Sequence, residues 1–139
     1  MKVLILVKAT TDSEAGAMPD PGMFEAMGKY NQELIDAGIL KDGDGLKPTS
    51  AAKRIRFDGE SRTVIEGPFD VPNNQVAGYW IWDVKDMDEA VAWVKRCPNP
   101  MPGPSEIEIR PTYTEADLID FLPPEVAAQE AEMRAKLEG

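Results

Sequence analysis

Two carboxylates stand on either side of a Gly-Pro break in the stretch Glu66-Gly67-Pro68-Phe69-Asp70. Gly67 permits a sharp turn, Pro68 removes a backbone donor, and Phe69 can anchor the turn so that the next side chain is held at a fixed angle. Two acids converging at such a kink repel each other, which raises one pKa towards general acid–base use. Asp70 and Glu66 are therefore the candidate catalytic pair. The structural alternative is that Asp70 accepts hydrogen bonds from loop amides while Glu66 stands in solvent, because structural networks employ carboxylates too. Lys8, Tyr30, Asn31, Tyr79 and Arg110 are the candidate ligand-binding residues. Lys8 and Arg110 are read either as counter-charges on a buried strand face or as exposed strand ends, with Glu108 a ready partner for Arg110.

Several chemistries are disfavoured by the residues present. The chain has no histidine, so Ser50 and Ser105 lack the imidazole that a Ser-His-Asp hydrolase requires. Cys97, the single cysteine, closes an expected helix, where the dipole disfavours a thiolate. A transition-metal site would rest on carboxylates alone. Asp42-Gly43-Asp44-Gly45 lacks the ligand spacing and closing Glu of a calcium loop and reads as a plain turn. No Gly-rich phosphate loop or dinucleotide fingerprint is present, and neither metal nor cofactor is implied. A net charge of −10 disfavours nucleic acid, which is bound through clustered Lys and Arg. Lys53, Arg54 and Arg56 form the one dense basic cluster. One cysteine allows no intrachain disulfide, which suits a reducing cytoplasm. The five apolar residues between Lys2 and Lys8 are too few for a signal-peptide core or a membrane span.

The elements that must position these residues follow from period and punctuation. Residues 3–7 form a β-branched run with apolar side chains on both faces, a buried strand. Residues 9–22 read as a loop. Asp20-Pro21 opens a helix as N-cap and first turn, and Gly38 stops it. Its apolar stripe is Met23, Phe24, Met27, Leu34 and Ile35, with Asn31 inside the stripe and Tyr30 on its margin. A buried amide must be hydrogen-bonded. Residues 39–48 read as a connection, with room for a short extended piece at Ile39-Leu40. Residues 52–57 and 61–66 make a hairpin around Asp58-Gly59, followed by a loop through Pro72-Asn73-Asn74. Residues 76–84 form a central strand, with Gly78, Trp80, Trp82 and Val84 on one face and Ala77, Tyr79 and Ile81 on the other. Asp86 or Asp88 caps a second helix with a Met87, Val91 and Val94 stripe, ending near Cys97-Pro98. Residues 105–110 are a last strand, and an acidic helical tail follows from Thr114.

This order of strand, helix, hairpin, strand, helix and strand gives an α+β fold of ferredoxin-like pattern with an antiparallel sheet. Two helices cover one sheet face only. The other is apolar as well, so a second copy is expected to cover it as a homodimer.

The corner motif resembles the Asp-Gly-Pro-Phe-x-Glu signature of the DGPF, or YCII-related, family. Tyr30 to Leu40 is similar to that family's first helix and exit, Gly45-Leu46-Lys47-Pro48 to its Gly-Leu-x-Pro turn, Ala77 to Val84 to its aromatic strand, and Asp86 to Pro98 to its helix ending in Cys-Pro. The resemblance covers residues 1–111, with 112–139 a helical extension. It implies a dimeric α+β barrel and a polar pocket near the sheet interface. One branch is linked to dehydrochlorination of aromatic rings, and other members occur beside extracytoplasmic-function sigma factors. A His–Asp pair proposed for the YCII branch has no counterpart here. Glu66 replaces the motif's first Asp and Asp70 its final Glu. The expectation is a cytoplasmic dimer binding a small molecule near Asp70, without nucleic acid or membrane. The alternative is an enzyme using carboxylate acid–base chemistry of the elimination or dehydrochlorination type.

Overall fold

A computed structural model describes residues 1–70 and 74–139 of the chain. Of the loop expected at residues 72–74, only Asn74 lies within the described residues. The centre is a four-stranded antiparallel sheet built from β1 (Lys2–Lys8), β2 (Leu40–Gly45), β5 (Val76–Asp83) and β6 (Ile107–Pro111), in the order β2-β5-β1-β6. A separate two-stranded ribbon pairs β3 (Lys53–Asp58) with β4 (Ser61–Glu66). The helices are α1 (Thr11–Glu14), α2 (Pro21–Asp36), α3 (Met87–Lys95), α4 (Glu115–Leu118) and α5 (Pro124–Glu138).

Alternation divides the sheet residues between two faces. Val3 lies opposite Trp82 and Ile5 opposite Trp80. These residues join Tyr30 and Leu34 of α2 and Ala90 of α3 in one buried cluster. Trp82, Ile5, Leu34 and Val3 are fully buried. Aromatic rings tie the layers together: Tyr30 meets Trp80 edge-on at 6.1 Å between centroids, and Trp80 lies 5.8 Å from Trp82. Each such pair contributes about 0.5–1.5 kcal/mol beyond its burial. Leu4, Leu6, Tyr79 and Ile81, which alternate with the core residues, stay half-buried outside that cluster.

Local chemistry sets the helix ends as expected. Asp20 Oδ1 accepts the Met23 amide at 2.9 Å, Pro21 starts α2, and Gly38 leaves it at φ 74°. Asp86, rather than Asp88, caps α3 by accepting the Glu89 amide at 2.9 Å. The buried stripes lie to one side of the expected positions. In α2 it is Tyr30 and Leu34 that are buried, while Phe24 and Ile35 are exposed. In α3 it is Ala90 that is buried and Val91 that is exposed. Against the sheet, α2 sets Tyr30, whose ring meets Trp80 edge-on, and Leu34, while α3 sets the small Ala90.

Two expectations are corrected. The expected loop 9–22 contains α1, closed by a reciprocal cap in which Ser13 N donates to Thr10 Oγ1 and Thr10 N donates to Ser13 Oγ. Residues 40–45, read as part of a connection, form edge strand β2. The hairpin, by contrast, stands outside the main sheet. Glycine explains how β2 pairs. A Cβ at Gly43 would lie 2.7 Å from Trp80 Cδ1 and 2.8 Å from the Tyr79 carbonyl oxygen. Only a residue without a side chain lets the backbone approach that close.

Candidate functional site

The Gly-Pro corner is held by a network that starts in α1. Thr49, in the short 3-10 turn Thr49–Ala51, is buried. Its hydroxyl donates to the Glu14 carboxylate and accepts the Phe69 amide at 3.0 Å, and its own amide donates to Glu14 Oε1 at 3.2 Å. The Gly67 amide donates to the Ala52 carbonyl at 2.9 Å. A Cβ on Gly67 would fall 1.7 Å from the Thr49 carbonyl oxygen, so the corner demands glycine. The Gly67-Pro68 peptide bond is cis. Arg54 lays its guanidinium 3.7 Å from the centre of the Phe69 ring and donates to Gln75 Oε1 at 3.1 Å. Gln75, itself buried, donates to the Asp70 carbonyl at 3.3 Å.

The corner therefore holds its backbone firmly, yet it delivers no buried acid. The Asp70 residue is exposed. Glu66 is exposed and takes both hydrogen bonds from Lys53 Nζ, at 2.7 and 2.8 Å. Exposed ion pairs of this kind contribute about 0–1 kcal/mol.

The remaining sequence candidates occupy two further places. Lys8, Tyr79 and Arg110 belong to the open sheet face, Tyr79 opposite Leu6 and Arg110 opposite Leu4, although Tyr79 also lines the cavity that Asn31 borders. Arg110 pairs with Glu108 at 3.1 Å, the partner expected for it. Lys8 borders a shallow cavity of about 390 Å³ with Thr10, Ser105 and Glu106. Tyr30 and Asn31 lie on the helix side. The Tyr30 hydroxyl donates to the Trp93 carbonyl at 2.5 Å, and burial with Cys97 nearby holds the phenol far above its ordinary range. It is a structural donor, not a base for neutral pH. Burial likewise pushes the Cys97 thiol up to about 11, which keeps it protonated and poorly nucleophilic. Glu66, Asp70 and Tyr30 thus do not converge on one cleft.

Asn31 does open onto a cavity. It is half-buried, and its Oδ1 accepts Trp80 Nε1–H at 3.0 Å. The cavity, about 790 Å³, lies between α1, the segment leading into α2, α2 itself and the adjoining ends of β2 and β5. Its walls carry Met18, Met23, Met27 and Met101 with Phe24 and Trp80. Its polar lining includes Asn31 and the acids Asp12, Asp20 and Asp44, with no lysine, arginine or cysteine. Thr10 Oγ1 contacts Met101 Sδ at 3.6 Å, linking α1 to the loop that closes the far side. Neither Asp70 nor Glu66 lines this cavity. Sequence reasoning missed Asp12, Asp44 and Met101. The signal that could have found this site is Met18, Met23 and Met27 falling within ten residues, since methionine suits adaptable apolar surfaces. Among the described residues, no three His, Cys, Asp or Glu side chains gather to hold a metal ion, and no helix is long and apolar enough to cross a membrane.

An antiparallel sheet, two core helices on one of its faces, a clamped Gly-Pro corner and a cavity under the first long helix define a small α+β domain. The chain belongs to the YCII-related domain family, whose profile matches residues 1–113. An uncharacterized protein of Rhizobium meliloti (strain 1021) is 27% identical over 92 residues, 66% of this chain and 74% of that relative.

Proposed function

We propose that this chain is a non-catalytic, small-molecule-binding homodimer whose ligand enters the cavity beside Asn31 rather than the corner at Asp70. The observation that carries this reading is the cavity itself. At about 790 Å³ it falls in the range of small-molecule sites, which are apolar with a few placed polar groups. Carboxylates without a facing cation disfavour an anionic ligand, so the ligand class is neutral or cationic and largely apolar. Asn31 has its Oδ1 engaged by Trp80, which leaves the amide N–H groups to orient a ligand acceptor. The one serine among the described lining residues, Ser13, donates its hydroxyl to the Thr10 carbonyl rather than to a base, which favours binding over turnover.

Dimerisation is part of the same reading. The order β2-β5-β1-β6 supports a ferredoxin-like sheet with Leu4, Leu6, Tyr79 and Ile81 on its uncovered face. Full burial of an exposed side chain of this size contributes about 1.5–3 kcal/mol, of which these half-buried residues have part still to gain, and pairing two such faces gives an α+β barrel.

The test is a thermal-shift screen of the full chain against neutral, cationic and anionic apolar compounds. A binder present at a hundred times its Kd stabilises the fold by about 2.7 kcal/mol. Met27→Trp, which fills the cavity, should abolish that stabilisation. Shifts produced only by anions, or shifts that survive Met27→Trp, would overturn the site.

A further inference from the structure

We propose that the β3–β4 hairpin is an arm that lies on a second copy of this chain, with Ile55, Phe57 and Val64 forming its docking face. The proposal rests on the homodimer reading above and assigns the dimer a second contact. Every residue of both strands is exposed. Ile55 is 47% exposed, Phe57 69%, Val64 54% and Ile65 41%. Cross-strand register puts Ile55 opposite Val64 and Phe57 opposite Arg62, so these four side chains share one face. Arg54, opposite Ile65, and Arg56, opposite Thr63, take the other face. An isolated two-stranded hairpin is marginal in water and needs a further layer. The described part of this chain supplies none.

The arm is nonetheless held in shape at both ends. At its base Lys53 pairs with Glu66, the Gly67 amide bonds to Ala52, and Arg54 is clamped on Phe69. At its tip Gly59 adopts φ 58°, and Arg62 Nη1 donates to the carbonyls of Gly59 and Ser61, both at 2.8 Å. The Arg62 guanidinium also covers Phe57 at 4.6 Å. An exposed apolar face held in shape in this way is preorganised for a partner, which lowers the ordering cost of association.

Charge selects a second copy as that partner. Residues 53–66 carry four cations against three carboxylates, and the rest of the chain carries eleven cations against twenty-two carboxylates. A slightly positive arm is drawn to the acidic body of another copy. The same acidity repels a phosphate backbone. The open sheet face and the arm both lack cover among the described residues, and two-fold pairing satisfies both reciprocally with one species. The arm leaves the sheet after Gly45 and returns at Val76, beside the edge of that open face.

The experiment combines sedimentation with photocrosslinking of the full chain, using a benzophenone amino acid in place of Phe57, an exposed position whose replacement leaves the core untouched. The wild type should sediment at twice 15.3 kDa at micromolar concentration. Where only that species is present, the probe should crosslink chain to chain. Phe57→Asp, its fold checked by circular dichroism, should raise the dimer dissociation constant at least tenfold. A dimer whose probe crosslinks only within its own chain overturns the arm and leaves the sheet-face dimer standing. Lysate crosslinks solely to another protein or to nucleic acid also overturn it. A monomer at every concentration removes both readings.

Discussion

Replacing Asn31 with leucine tests the joint between helix and sheet on which the cavity depends. Leucine keeps the branching of asparagine, with two methyl groups in place of the amide oxygen and nitrogen, but cannot accept the Trp80 indole N–H, now bonded at 3.0 Å. Trp80 is buried, and a buried donor left without an acceptor costs about 1–3 kcal/mol. Burying the leucine side chain at a half-buried site returns about 1 kcal/mol of that. The expected net loss is about 0–2 kcal/mol, or up to roughly 7 °C in Tm for a chain of this length. The assay is urea unfolding of wild type, Asn31→Leu, Trp80→Phe and the double variant. Once phenylalanine removes the indole N–H, Asn31→Leu should cost nothing further or stabilise slightly, giving a coupling energy near 1–2 kcal/mol. A coupling below about 0.3 kcal/mol, with unchanged m-values, would mean that water satisfies Trp80 and that Asn31 does not join the two layers.

Gly43→Ala should lower stability by about 2–3 kcal/mol, an overpacking cost, because its Cβ would meet Trp80 Cδ1 at 2.7 Å and the Tyr79 carbonyl at 2.8 Å; a shifted tryptophan emission with a reduced urea midpoint is the check. Asp70→Asn should change stability by no more than about 0.5 kcal/mol and leave ligand binding in the cavity intact; a large loss of either would return the site to the corner. Alkaline pH should destabilise the fold. Burial raises the Tyr30 phenol above its ordinary value and the Cys97 thiol to about 11, so the folded chain holds protons that the unfolded chain releases. That contribution is complete below about pH 8.5 and declines as pH rises through the ordinary thiol and phenol range. Urea midpoints at pH 8 and 10.5 should fall in that order, with a smaller fall in Cys97→Ser.

The sequence disclosed whatever was decided locally. Asp20-Pro21, Gly38, Asp58-Gly59 and Asp86 each act within a few residues of themselves, and each performs the expected task. Strand β2 was hidden because Asp42-Gly43-Asp44-Gly45 is turn chemistry on its own terms. Its extended form is imposed by Trp80, 37 positions away, against which only glycine fits. Tyr30 was placed at the edge of its helix stripe because periodicity does not say where the sheet lies. Edge-on packing against Trp80 and the hydroxyl bond to Trp93 fix that rotation. The acids at the corner were legible as a motif, and Glu66 in solvent was one of the two readings; the exposure of Asp70 was not legible. The cavity draws its walls from separate stretches of chain, so no single window could show it.

The connection between β2 and β5 has a consequence for how this chain tolerates change. Gly45 and Gly78 face each other in the ladder, and the Leu46 amide bonds to the Ala77 carbonyl at 2.8 Å. The ends of the whole excursion from 46 to 77 are thus zipped together by the sheet, as they would be around a tight turn. Loop-closure entropy grows only with the logarithm of length, by about 0.6 kcal/mol per doubling. Stretching a four-residue connection to thirty or so residues therefore costs about 2 kcal/mol, within what one or two buried side chains return. The sheet places little constraint on what is inserted there. Lengthening, trimming or exchanging the ribbon is a cheap route by which relatives of one fold can acquire different partners while their cores stay the same.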